Sequence, residues 1–170
     1  MKYIFFSQIK SCDIFDIPGI RQIPEIAISC FDGNFGELLR KFAGKHLTVG
    51  AVDIAQLNVV EFLSAWKSKN AYGNMELLIV DGYDSESLNV DEIMEKCDIK
   101  QLDLDKDPPI FEYQKSGPWG TYKEYFKSHH YKVRESDGRV ASIKITPYCF
   151  EFGVWNWTEE QFLEEHLKRK

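Results

Sequence analysis

Little in this chain advertises chemistry. Its nearest approach to a phosphate-binding loop, Asp32-Gly33-Asn34-Phe35-Gly36, matches neither GxGxxG nor a Walker loop. It reads as a turn that opens a helix. The four cysteines, Cys12, Cys30, Cys97 and Cys149, include no Cys-x-x-Cys pair. That spacing excludes a zinc ribbon or a small disulfide framework and leaves buried free thiols in a reducing compartment. Of the four histidines, His129 and His130 are adjacent near the start of a strand, where alternation sends neighbours to opposite faces. His46 and His166 are far away in sequence. The run Asp103-Leu104-Asp105-Lys106-Asp107 begins like a calcium loop, but Pro108 stands where the turn needs glycine and Gln114 where a bidentate glutamate is needed. No metal and no cofactor are expected. No stretch approaches the ~20 apolar residues of a membrane span. The opening apolar run, Tyr3 to Phe6, is far shorter than the roughly 7–15 residues of a secretory leader. A cytoplasmic protein of one domain, residues 1–170, is the expectation.

What the chain does have is aromatic residues and an uneven charge. Phe111 to Trp157 carries 12 of the 24 aromatics, enough to mean either a ring-rich core or an aromatic binding surface. Net charge is −6, and Asp81 to Asp107 holds ten acids against three lysines. That segment carries the whole imbalance, which attracts cationic partners and disfavours nucleic acid. Lysines and tyrosines do interleave between Lys115 and Lys144, yet no RNA-binding signature accompanies them. Lysine stems lying over packed rings account for that pattern.

Periodicity places the elements. Strands are read at Lys2–Phe6, Ile14–Ile17, Ile26–Phe31, His46–Val52, Glu76–Val80 and Ile110–Tyr113, with an edge strand at Ile99–Leu104. A helix over Asn34–Phe42 buries Phe35, Leu38, Leu39 and Phe42. A second, capped by Asp53, runs over Ile54–Lys69 with a stripe of Leu57, Val60, Leu63 (or Phe62) and Trp66. Asn89 with Glu92 caps a third, Val90–Cys97. Thr121 and Glu124 match the same capping pattern and predict a short helix, Tyr122–Ser128. A hairpin follows. A three-residue loop, Ser136-Asp137-Gly138, pairs Val133 with Ala141 and Tyr131 with Ile143 and aligns the apolar faces. Cys149–Val154 is a further strand. The last helix starts at Thr158, with Gln161 completing a capping box and Trp157 and Phe162 a hydrophobic staple. The order implies an α+β fold: a mixed or antiparallel sheet, helices mainly on one side, and a C-terminal hairpin, strand and helix. A three-layer α/β fold is the alternative.

Function reads as binding rather than catalysis, and no catalytic residue is assigned. The acidic segment and the Trp119–Tyr125 aromatics give the chain a likeness of type to bacterial immunity proteins, which it resembles in size, acidity and aromatic content. These neutralise toxin domains, including those of contact-dependent growth inhibition. The resemblance implies a protein partner, commonly a basic nuclease domain blocked at its active site, with no nucleic acid and no membrane bound directly. The candidate contacts are Asp81, Asp84, Glu86, Asp91, Glu95, Asp103, Asp105, Asp107, Trp119, Tyr122 and Tyr125. Carboxylates steer a cationic partner and desolvated aromatics hold it. Two other classes remain open: a small enzyme with a site assembled from His129, His130, Glu151 and Cys149, or a homo-oligomeric regulatory protein.

Overall fold

A computed structural model describes residues 3–69, 71–82, 87–117 and 119–168. In chain order the elements are β1 (Tyr3–Phe6), two 3-10 turns (Cys12–Asp16 and Ile20–Gln22), β2 (Glu25–Ile28), α1 (Phe35–Lys41), β3 (His46–Val52), α2 (Gln56–Lys67), β4 (Leu77–Gly82), α3 (Val90–Lys96) and β5 (Lys100–Gln101). Then come β6 (Ile110–Gly117), β7 (Gly120–Lys127), β8 (His130–Val133), β9 (Arg139–Thr146), β10 (Cys149–Thr158) and α4 (Glu159–Leu167). The main sheet has eight strands in the order β1-β2-β3-β4-β10-β9-β8-β5. Pairing is parallel from β1 to β4 and antiparallel beyond. β6 and β7 pair only with each other. The fold is α+β, as the element order implied.

Strand alternation divides the side chains between two faces. On one, Ile26, Ile28, Leu47, Val49, Leu78, Val80, Phe150 and Phe152 meet Leu38 and Leu39 of α1, Val59, Phe62, Leu63 and Trp66 of α2, and Ile93 of α3. On the other, Leu77 and Ile79 of β4 receive Phe126, Phe111 and Tyr113 of the β6–β7 hairpin. Further along the same face α4 sets Phe162 against Tyr131, Val140, Trp155 and Trp157. The unbroken apolar run Leu77–Val80 is thus explained by β4 being covered on both faces. Three helices lie on one side and the hairpin and α4 on the other.

Four local expectations are overturned. Ile14–Ile17 is no strand: Cys12–Asp16 coils as a 3-10 turn capped by Ser11, whose side chain accepts from the Asp13 N–H. α2 begins at Gln56 behind an Ala55 N-cap, not at an Asp53 cap, and its buried stripe is Val59, Phe62, Leu63 and Trp66. Leu57 is exposed at 64%. Phe62, Leu63 and Trp66 lie where the stripe was expected, but it opens at Val59 with the spacing i, i+3, i+4, i+7, so Leu57 and Val60 fall beside it. The Tyr122–Ser128 helix is strand β7, in register with β6 from Ile110↔Lys127 to Gly117↔Gly120. A capping pattern is a local preference, and here pairing with β6 and burial of Phe126 override it.

The β8–β9 register is also shifted by one residue, with Tyr131↔Ser142 and Val133↔Val140. Matching apolar faces cannot choose a register where both faces of β9 are covered. The choice is made at the loop instead. Arg134, 3% exposed, donates through Nε and Nη2 to both carboxylate oxygens of Asp137, at 2.9 and 2.6 Å, and through Nη1 to the Gly73 carbonyl. Four residues, Glu135 to Gly138, fit around that clamp, with Gly138 left-handed at φ +70° as its turn requires. α4 forms as expected, with both halves of the Thr158–Gln161 capping box in place.

Candidate functional site

The hairpin β6–β7 is the element that shapes the candidate site. It crosses the sheet face opposite α1–α3 and is rooted by aromatic packing. Phe111 stacks on Phe126 at 5.4 Å and meets the Trp155 ring edge-on at 5.1 Å. Trp155 is itself fixed by its Nε1–H donating to Ser142 Oγ at 2.8 Å. From that root the hairpin reaches over β4, β3 and β2, so that Gly117 and Tyr122 come beside Phe5 of β1. At the tip Trp119 is 96% exposed. Gly120, at φ +121°, permits the tight reversal there.

The hairpin leaves two cavities against the sheet. One, of about 360 Å³, lies at the N-terminal ends of β3 and β4 between Phe111, Tyr113, His46 and Glu76. Of its charges Glu76 is matched, by Lys45 at 2.6 Å and by His46 Nε2 at 3.5 Å, while Glu112 and Lys123 also line it and form no ion pair among the described residues. The second, of about 260 Å³, lies at the C-terminal ends of the parallel strands, beneath Lys115, Ser116 and Tyr122. Between them Asp81, Tyr113, Lys144, Cys149 and Glu151 form a polar cluster. Lys144 Nζ is 2.5 Å from Glu151 Oε2, and the Cys149 thiol donates to Asp81 Oδ1 at 3.4 Å. Burial, then the charges of Glu151 and Asp81, push the Cys149 thiol up to about 12. Burial and the same neighbouring carboxylates raise Tyr113 as well. Desolvation disfavours the Lys144 charge, but its bond to Glu151 outweighs that and raises its pKa. A thiol held protonated is a hydrogen-bond donor, not a nucleophile.

The residues singled out from sequence do not form one patch. Asp103, Asp105 and Asp107 are exposed in the loop beyond β5, at one edge of the sheet. Trp119 projects over the other edge, near β1. Seven strand spacings, roughly 30 Å, separate those edges. Asp91 and Glu95 are exposed on α3, on the helix side. Asp84 and Glu86 lie outside the described residues. Tyr122 and Tyr125 sit on opposite faces of β7, Tyr122 over the smaller cavity and Tyr125, 61% exposed, outward. Among the described acids of the group, Asp81 shares a cavity with Tyr122.

For the scattered residues of the enzyme reading, Cys149 and Glu151 share a strand face. His130 lies on β8 across from Gln101, and His129 Nε2 is 2.9 Å from the Lys106 carbonyl. Among the described residues, no group of three or more His, Cys, Asp or Glu is arranged to hold a metal. No helix among them is long and apolar enough to cross a membrane.

Sequence reading missed the cavity floor of Ala27, Ser29, Thr48 and Gly50 and its roof residue Lys115. The signal was there: along β3, and along β2 with Ser29 just past its end, these small and hydroxyl residues alternate with Ile26, Ile28, Leu47 and Val49. Comparison with protein-family models, with curated proteins and with solved structures returns no match.

Proposed function

We propose that the chain is a non-enzymatic binding protein of the toxin-neutralising immunity type, and that its hairpin tip enters the partner. The carrying observation is Trp119. The largest side chain available stands 96% exposed at the end of an arm whose root is firmly packed. Tryptophan is the residue most enriched among interface anchors, and it gains most when a partner desolvates it fully. The partner in this reading is a toxin domain acting in the cytoplasm, a nuclease with a basic surface. The carboxylates of Asp103, Asp105 and Asp107 form a second contact at the far edge of the sheet. They do not steer the tip itself, because roughly 30 Å exceeds the ~8 Å screening length at physiological salt several-fold.

The test reads the gene immediately upstream and, where it encodes a large secreted protein, expresses that protein's C-terminal domain and measures its binding to this chain. Trp119→Ala is expected to weaken binding about 30-fold or more, the loss of an anchor worth at least ~2 kcal/mol. Its unfolding midpoint stays unchanged, because the side chain is exposed rather than buried. Joint replacement of Asp103, Asp105 and Asp107 by Asn slows association at low salt and flattens its salt dependence. Unaltered affinity of Trp119→Ala for a toxin domain that the parent chain neutralises sinks the tip as the contact.

A further inference from the structure

Parallel strands covered on both faces ordinarily carry large apolar residues on both. β2 and β3 do so only toward the helices. Toward the hairpin they present the half-buried Thr48 and Gly50 and, just past β2, the exposed Ser29, and the space this leaves is the 260 Å³ cavity under the tip. The gap is built into the backbone: a Cβ at Gly50 would stand 2.7 Å from the Ser29 carbonyl oxygen. What approaches Gly50 closely is that carbonyl, and with no side chain at this position the space beneath Lys115 and Tyr122 stays open.

The cavity is bounded by opposite charges that do not meet. Asp81 comes from the end of β4 and Lys115 from the hairpin. Both line the same space, yet among the described residues they form no ion pair with each other, and Lys115 forms none with any carboxylate. Asp81 accepts the Cys149 thiol on Oδ1, which leaves Oδ2. The hydroxyls of Ser29, Thr48 and Tyr122 likewise have no partner among the described residues. A simple anion would answer Lys115 and face Asp81 unfavourably; a simple cation would do the reverse. A molecule carrying both charges answers both. The volume falls below the usual ~300–1,000 Å³ of drug-sized sites, so the molecule is small.

We infer that this cavity binds a small zwitterion of the α-amino acid class, its carboxylate on Lys115 and its ammonium on Asp81, beneath the Tyr122 ring. The inference rests on the cavity alone and stands apart from the partner reading.

The experiment is thermal unfolding of the full chain with the standard α-amino acids added singly. For each one that binds, the matching amine without the carboxylate and the matching acid without the amine are added, with inorganic phosphate as a further arm. One or a few amino acids are expected to raise Tm by about 5–10 °C at a free concentration roughly a hundredfold above Kd. The amine, the acid and phosphate are expected to do far less. Lys115→Met and Asp81→Asn should each weaken the hit at least about tenfold, the scale of one charge-assisted hydrogen bond, with the ligand-free Tm unchanged. Ser29→Leu, which fills the floor, should abolish the shift. The inference is overturned if no amino acid shifts Tm, if phosphate or the amine alone reproduces the shift, or if the hit binds Lys115→Met and Asp81→Asn as it binds the parent chain.

Discussion

Asp137→Ala is expected to destabilise the fold by about 3 kcal/mol, a large share of the roughly 5–15 kcal/mol that holds a domain of this kind together. The reason is what the substitution leaves behind. Arg134 is 3% exposed, and the Asp137 carboxylate takes two of its hydrogen bonds. Without it the guanidinium keeps the Gly73 carbonyl at 3.0 Å and the face of Trp66 at 5.2 Å but loses its paired carboxylate, since Glu135 in the same loop is exposed and lies against Lys67 at 3.6 Å. Breaking one side of a buried pair costs about 3–5 kcal/mol; the low end applies because Asp137 is 31% exposed and water reaches it. Removing both partners, as Arg134→Met with Asp137→Ala, should recover part of the loss. Urea unfolding of the three variants measures this. A double variant no more stable than Asp137→Ala alone contradicts the unpaired charge as the cause.

The same carboxylate sets a pH dependence. The Arg134 hydrogen bonds, opposed by burial and aided by the Arg139 N–H, hold Asp137 down at about 2. An unfolded aspartate titrates near ~3.9. A group depressed on folding stabilises fully above its unfolded pKa and loses that contribution as pH falls through its folded pKa. About 2 kcal/mol should therefore disappear between about pH 4 and about pH 2. Asp137→Asn should flatten that part of the stability profile, and an unchanged profile in the variant would falsify the assignment.

Arg134 also shows why the sequence was legible in some places and not in others. α1, α3 and α4 could be read because cap and stripe agree: Asn34, Asn89 and Thr158 each accept the N–H three residues on, ahead of an amphipathic run. β7 could not, because Thr121 and Glu124 imitate a cap while Tyr122, Tyr125 and Phe126 suit a strand equally well. The β8–β9 register was hidden by a buried arginine, since apolar matching assumes that charges stay outside. The acidic segment was plain as composition, but a chain that passes from mid-sheet through α3 to the far edge disperses its carboxylates. The smaller cavity was written in Ser29, Thr48 and Gly50. It becomes visible only when the hairpin is known to reach over β2 and β3, because an open sheet face carries such residues for solubility alone.

Gly153→Ala is the second large expected effect, and it acts on the arm rather than on its tip. Gly153 lies under the root of the hairpin, and a Cβ there would stand within 2.6 Å of three carbons of the Phe111 ring. The ring cannot swing freely aside: Phe126 stacks on it and Trp155 meets it edge-on. The strain must therefore pass into the docking of the whole hairpin on Leu77 and Ile79. Overpacking of this kind costs about 1–3 kcal/mol. Phe111→Ala alone should cost about 3 kcal/mol, through lost burial and the space it leaves. The two together should cost about 1–2 kcal/mol less than their sum, because each relieves what the other creates. Strict additivity by urea unfolding would show that residue 153 and the hairpin do not press on each other. Limited proteolysis reads the consequence for function. In Gly153→Ala the hairpin should be cut faster while the rest of the sheet resists, since the β6–β7 pair holds to the sheet by side chains, not by ladder hydrogen bonds. Binding through Trp119 should then weaken although Trp119 is intact, because an anchor on a loosened arm must be ordered again each time it docks.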